Sequence, residues 1–130
     1  MQFIRLFLFI LLLGSTSAFW YKELNVPPKR WKSVASDRHG IRWFAVEENG
    51  YLWISPNGTR NWVENLGPKN WTDITTNDTG VKIVAVADDI WYSTNGGSSW
   101  SSASMIETWQ GVTSSARGSK VYAISKTAIY

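Results

Sequence analysis

Three tryptophan-led segments recur along the chain at nearly constant spacing, and this periodicity constrains the fold more than any other feature. Trp31-Lys-Ser-Val34-Ala35 aligns with Trp71-Thr-Asp-Ile74-Thr75 and Trp109-Gln-Gly-Val112-Thr113, at separations of 40 and 38 residues. Gly40, Gly80 and Gly118 then fall in register, followed by Phe44-Ala45-Val46, Val84-Ala85-Val86 and Tyr122-Ala123-Ile124. Leu52-Trp53-Ile54, Ile90-Trp91-Tyr92 and Ala128-Ile129-Tyr130 complete the alignment. Short apolar runs separated by turn residues read as strands, and nothing at helical spacing competes. Four short strands in about forty residues is the content of one β-propeller blade. In each unit strand A opens on the first Trp, B carries the Ala-Val core, C holds Leu-Trp or Ile-Trp, and D follows a later Trp. Val81, Ile83, Val84, Ala85 and Val86 flank the single polar Lys82, so strand B offers apolar side chains to both faces. Such sheets need cover on both sides, which neighbouring blades provide.

The turn between C and D is itself repeated. Ser93-Thr-Asn95-Gly-Gly97-Ser-Ser99-Trp100 has a partial copy at Ser55-Pro-Asn57-Gly-Thr59-Arg-Asn-Trp62. Asn and Gly at these places tolerate the positive φ of a tight connection. The stretch resembles the Asp-box, S-x-D-x-G-x-T-W, of the neuraminidase-type (BNR) repeats of β-propellers. Asn95 and Asn57 stand where that motif has aspartate, and Thr59 replaces its glycine in the first copy. The resemblance implies a structural role for Ser93, Asn95, Gly97, Ser99 and Trp100, and for Ser55, Asn57 and Trp62: oxygens bond turn amides while the Trp packs between strands. It also places these turns opposite the usual ligand face.

The expected fold class is therefore all-β, with β-propeller-type four-stranded antiparallel blades. About three blades are expected per chain, cut out of phase. Trp20 precedes Trp31 much as Trp62 precedes Trp71 and Trp100 precedes Trp109, so 20–30 reads as an isolated D strand. Blades follow at 31–70 and 71–108, and 109–130 supplies A, B and a short C, giving one propeller-repeat domain over 19–130. Propellers have about 4 to 8 blades, so two readings stay open. One is a six-bladed homodimer with composite blades, which removes exposed strand edges. The other is a fragment of a longer sialidase-like propeller.

Residues 1–18 read as a secretory signal peptide, with Arg5 before the apolar run Leu6 to Leu13 and Ser15-Thr16-Ser17-Ala18 as the cleavage region. The run is shorter than the roughly 17 to 25 residues of a membrane span, so no stable membrane insertion is expected after cleavage and the location is extracellular. Sequons at Asn57, Asn70 and Asn77 fit a secreted glycoprotein. The net charge of +3 includes Arg5, too weak a bias to argue for nucleic acid. The absence of cysteine excludes disulfides, thiolate metal sites and cysteine nucleophiles. His39 is the single histidine, so neither metal nor cofactor is expected.

Function has to be read from a site rather than from the fold. By the family analogy, the ligand face gathers the D-to-A and B-to-C connections. Trp31, Trp71 and Trp109 open strand A there, beside Glu48, Asp88 and Asp89, and aromatic faces with carboxylates suit hydroxyl-rich ligands. Packing accounts for most of the nine tryptophans. Sialidases carry the same boxes, but the arginines here do not resemble their converging triad, so no catalytic residue is assigned. The expectation is a secreted, non-catalytic, lectin-like glycan-binding module. The alternative is a structural or protein-binding propeller, since propellers of the photosystem-assembly type resemble the same repeat.

Overall fold

A computed structural model describes residues 28–58 and 60–130. The expected leader (1–18) and residues 20–27 of the expected isolated D strand (20–30) lie outside them. The described residues form ten strands and no helix. The first sheet has the order β1 (Trp31–Ser36), β2 (Trp43–Glu47), β3 (Gly50–Ser55) and β4 (Val63–Lys69). The second repeats it with β5 (Asp73–Thr76), β6 (Ile83–Val86), β7 (Ile90–Ser93) and β8 (Ser101–Ser102). The third holds β9 (Trp109–Ser114) and β10 (Val121–Ser125). All pairings are antiparallel, and the leading strands β1, β5 and β9 lie side by side. Sheets stacked face to face about their first strands are the arrangement of propeller blades.

The A-to-B turns show why the sequence bends where it does. Asp37, Asn77 and Ser115 take the same position, and the backbone N–H of each donates to the carbonyl of Arg42, Lys82 or Lys120. Their side-chain oxygens then accept amides inside the turn. Asp37 takes Ile41 N at 2.8 Å, Asn77 takes Val81 N and Lys82 N at 3.0 and 2.9 Å, and Ser115 takes Lys120 N at 3.2 Å. Gly40, Gly80 and Gly118 close the turns at φ of +65°, +68° and +62°, a region that costs other residues about 1 to 2 kcal/mol.

Each sheet has a leading face toward the preceding sheet and a trailing face toward the next. Phe44, Val46 and Leu52 on the trailing face of the first sheet pack with Trp71, Ile74, Ile83 and Ala85 on the leading face of the second. Val84 and Val86 on the trailing face of the second sheet pack with Trp109, Val112 and Ala123 of the third. Each large side chain fully buried in these seams contributes roughly 1.5 to 3 kcal/mol.

Hydrogen bonds join the same seams. The Asp73 carboxylate accepts Ser33 Oγ of the first sheet at 2.5 Å, its neighbour Ile74 N at 2.8 Å, and Val112 N of the third sheet at 2.8 Å. One side chain thus spans all three leading strands. At the turns, Arg38 N donates to Asp78 O at 2.9 Å and Asp78 N to Ala116 O at 2.7 Å.

The third unit corrects one detail of the repeat. Leu52 pairs with Val46 and Ile90 with Val86, and in the third sheet it is Ile129 that bridges Ile124. Tyr130, not Ile129, therefore takes the place of Trp53 and Trp91. Its N–H and carbonyl exchange bonds with Ala123 at 2.9 and 3.1 Å. The strand C alignment in this unit shifts by one residue, which moves the aromatic ring onto the leading face beside Trp109, at 5.0 Å between centroids. Trp31 and Trp53 form the matching edge-on pair at 6.0 Å.

Replacing Asp73 by alanine should lower the unfolding free energy by about 2 to 4 kcal/mol in urea titration, because three donors lose a charged acceptor. A loss below roughly 0.5 kcal/mol, typical of surface substitutions, would show that the carboxylate does not hold the seams.

Candidate functional site

Turn contacts sort the connections onto two rims. Gly58 N donates to Ile41 O at 2.7 Å and Gly96 N to Val81 O at 2.8 Å, so the A-to-B and C-to-D turns share one rim. On the other, Glu48 N donates to Arg30 O at 2.8 Å and Glu107 N to Asp88 O at 3.4 Å. Glu48, Asp88 and Asp89, expected to meet a ligand, stand on this second rim, and Glu48 and Asp89 are already engaged.

Glu48 pairs with Arg30 at 3.2 Å and with Lys32 at 3.2 Å. Glu47 beside it meets Lys29 at 3.5 Å and accepts Tyr51 N at 2.8 Å. Pro28, Lys29, Arg30, Glu47 and Glu48 line a shallow depression of about 470 Å3 whose charges neutralise one another. Asp89 accepts Ile90 N at 2.6 Å, Met105 N at 2.9 Å and the Ser102 hydroxyl, pinning the segment that leaves β8. Asp88 is exposed on the adjoining turn.

Two of the three tryptophans do not reach the rim. Trp71 is fully buried, and Trp109 is 2% exposed with its Nε1 donating to Met105 O at 3.1 Å. As first residues of their units, both rings face the preceding sheet and fill the seam. Trp31, with no such sheet among the described residues before it, is half-buried against Trp53 and Trp62. The expectation of three rings on a ligand rim is corrected for Trp71 and Trp109, whose rings are buried.

In the Ser93–Trp100 turn, Ser93 Oγ accepts Gly97 N at 2.9 Å and Asn95 Oδ1 accepts Ser99 N at 2.9 Å. Asn95 Nδ2 donates to Ser99 Oγ at 2.8 Å. Trp100 Nε1 donates to Asn65 Oδ1 at 2.6 Å, and Asn65 Nδ2 to Gly97 O at 3.1 Å, so the turn also locks β4. In the first copy Ser55 is buried and Asn57 exposed, while Trp62 lies half-buried on Trp31. Of the sequons, Asn57 and Asn70 are exposed. Asn77 is not: it is 6% exposed and its Nδ2 donates to Thr79 Oγ1 at 2.9 Å. That corrects the expectation of a glycan there, since its amide nitrogen is committed inside the turn.

An unanticipated groove of about 430 Å3 lies between the outer parts of the second and third sheets. Ile90 and Tyr92 of β7 form one wall, Val121 and Ala123 of β10 with Tyr130 form the other, and Lys82 stands at one end. Beyond β10 the third sheet continues only as the Ile124–Ile129 bridge and the Ala123–Tyr130 bonds, so no strand adjoins Val121 on that side among the described residues. Tyr92 alternates with Trp91 along its strand, which was a sequence signal for a second, outward ring. Asp73 was also missed, although a carboxylate in the place of Ser33 and Gly111 is conspicuous.

No family model matches the chain, and no curated protein matches it. Solved structures do. The fold is similar to that of YCF48 bound to D1 peptide, with 16% identity, a TM-score of 0.65, and coverage of 89% of this chain and 42% of that one. YCF48 from Cyanidioschyzon merolae aligns at 14% identity and a TM-score of 0.63, covering 82% and 35%. A chain of the nidogen/laminin complex aligns at 13% and 0.58, covering 75% and 40%. At these identities the similarity defines the fold alone: the described residues form part of a β-propeller. The chain spans about two fifths of the length of these neighbours.

Three carboxylates carry a pH dependence. Burial acts to raise the pKa of Glu47 and of Asp89, but donors outweigh it, Tyr51 N–H and Lys29 for Glu47 and the Ser102 hydroxyl with the Met105 and Ile90 amides for Asp89. Both end below their ordinary values, as does Asp37, where the amides of Ile41, Arg42 and His39 overcome burial. The folded state therefore binds these protons less readily than the unfolded chain. Their stabilisation is complete above about pH 4.5 and is lost as pH falls through the depressed folded-state values. Thermal melts should show a plateau above that pH and a decline below it, shallower in Asp89→Asn. An unchanged acid slope in that variant would contradict the role given to Asp89.

Proposed function

We propose that this chain is a non-catalytic peptide-binding propeller module that takes an extended segment of a protein partner into the groove between its second and third sheets. The observation that carries this reading is the apolar groove between the second and third sheets, beside which β10 has no neighbouring strand at Val121 among the described residues. An incoming segment with alternating apolar side chains gains main-chain hydrogen bonds at Val121 and inserts side chains between Tyr92 and Tyr130, the mode of strand addition. A related fold supports it: YCF48 is described bound to D1 peptide, and a further neighbour comes from a complex with laminin. A lectin-like role has less to rest on, because Trp71 and Trp109 offer no ring face and Glu48 and Asp89 spend their oxygens inside the chain.

The test is selection from a displayed library of random peptides, beside a glycan array. Enriched peptides should alternate apolar residues and lose affinity about tenfold or more with Val121→Glu, a charge placed in an apolar site. Ile41→Glu, on the exposed A-to-B turn, should leave binding unchanged. Binding indifferent to Val121→Glu, or glycan hits without peptide enrichment, would overturn the proposal.

A further inference from the structure

The two rims differ in how their charges are used. The ion pairs among the described residues, Lys29 with Glu47 and Arg30 and Lys32 with Glu48, stand on the rim of B-to-C and D-to-A connections. The turns of the other rim carry Arg38, Arg42, Arg60, Lys82, Arg117 and Lys120, and none of these joins an ion pair among the described residues. The carboxylates described in those turns are Asp37 and Asp78, and Asp37 accepts the amides of His39 and Ile41 at 3.2 and 2.8 Å inside its own turn. Six cations against two carboxylates is a bias that the net charge of +3 does not reveal.

The repeat places these cations. Arg42, Lys82 and Lys120 close the three A-to-B turns at one shared position, where their carbonyls accept the N–H of Asp37, Asn77 and Ser115. Stacked sheets lie about 10 Å apart, so the three charges form a row along the rim. One position earlier stand Ile41, Val81 and Ser119, and the first two are 54% and 37% exposed. Aliphatic side chains therefore meet water beside the cations. Sheets that pack side by side leave their turns open, so a further sheet would lengthen this rim rather than cover it.

We propose that the rim of A-to-B and C-to-D turns docks on an anionic lipid bilayer, its cations against the headgroups and Ile41 and Val81 entering the boundary with the acyl chains. Basic and aliphatic side chains on one surface are the combination that holds a protein to such an interface, by attraction to anionic lipid and by burial of apolar area. A polyanion in solution, whether nucleic acid or acidic protein segment, would engage the cations but leave Ile41 and Val81 without a partner. The attachment is peripheral and needs no spanning segment. It goes beyond the peptide reading and does not rest on it.

The repeat also supplies substitutions that fit the turns. Ala116 and Thr79 hold the positions of Arg38 and Arg117 in sister turns, and Ser119 that of Ile41 and Val81. In co-sedimentation the chain should bind vesicles of phosphatidylglycerol and phosphatidylcholine, and not vesicles of phosphatidylcholine alone. Arg38→Ala/Arg117→Thr should weaken binding about tenfold or more, and Ile41→Ser/Val81→Ser about threefold or more at unchanged charge. Lys120→Glu should weaken it more than Lys126→Glu, which makes the same change of net charge in the B-to-C turn of the third sheet, on the opposite rim. Failure to bind the anionic vesicles would overturn the proposal, as would equal losses from Lys120→Glu and Lys126→Glu. Full binding by Ile41→Ser/Val81→Ser would overturn it in favour of a site for soluble polyanions.

Discussion

A sheet with apolar side chains on both faces is stable in water only when both faces are covered, and the structure depends on that constraint. Strand β6 shows it most plainly. Ile83 and Ala85 enter one seam while Val84 and Val86 enter the other, and all four are buried. The alternation that would mark a half-exposed sheet is absent, because at β6 the second sheet is covered on both faces. Tight A-to-B turns follow from the same need: they let each chain segment return directly, so sheets stack about their first strands. Asp73 adds direction to this otherwise non-directional packing, since one carboxylate fixes three leading strands relative to one another.

The polar groups of both rims are largely used up by the fold. Asp37, Asn77, Ser93, Asn95 and Asp89 each satisfy turn amides, which would otherwise be stranded beside a buried seam. Among the described residues, the apolar surface not used in this way is mainly the groove between the second and third sheets. The groove exists because, among the described residues, the third sheet is narrower than the first two.

Much of the architecture was legible in the sequence. Trp31, Trp71 and Trp109, the three turn glycines, and Ala45, Ala85 and Ala123 hold fixed structural positions, so aligning them located strands A and B in every sheet. Strand C of the third unit was ambiguous because Ala128-Ile129-Tyr130 offers two registers one residue apart, and a one-residue shift exchanges the faces. The Ile124–Ile129 bridge and the pairing of Tyr130 with Ala123 decide it. The site was less legible. An indole suits stacking on a ligand and packing in a seam equally well, and residue type does not tell Trp71 from Trp31. Asp89 looked like a free carboxylate because its donors, Ser102 and Met105, lie well along the chain. The groove is invisible in any one unit, since its walls belong to two.

The central claim is that the middle sheet is held by cover on both sides, and native-state hydrogen exchange measures this strand by strand. The account predicts that amides of β6 exchange only through global unfolding and are the slowest in the chain, while those of β4, whose Val63, Glu64 and Asn65 are exposed, open locally and exchange far faster. Rapid local exchange in β6, or protection no greater than in β4, would contradict it.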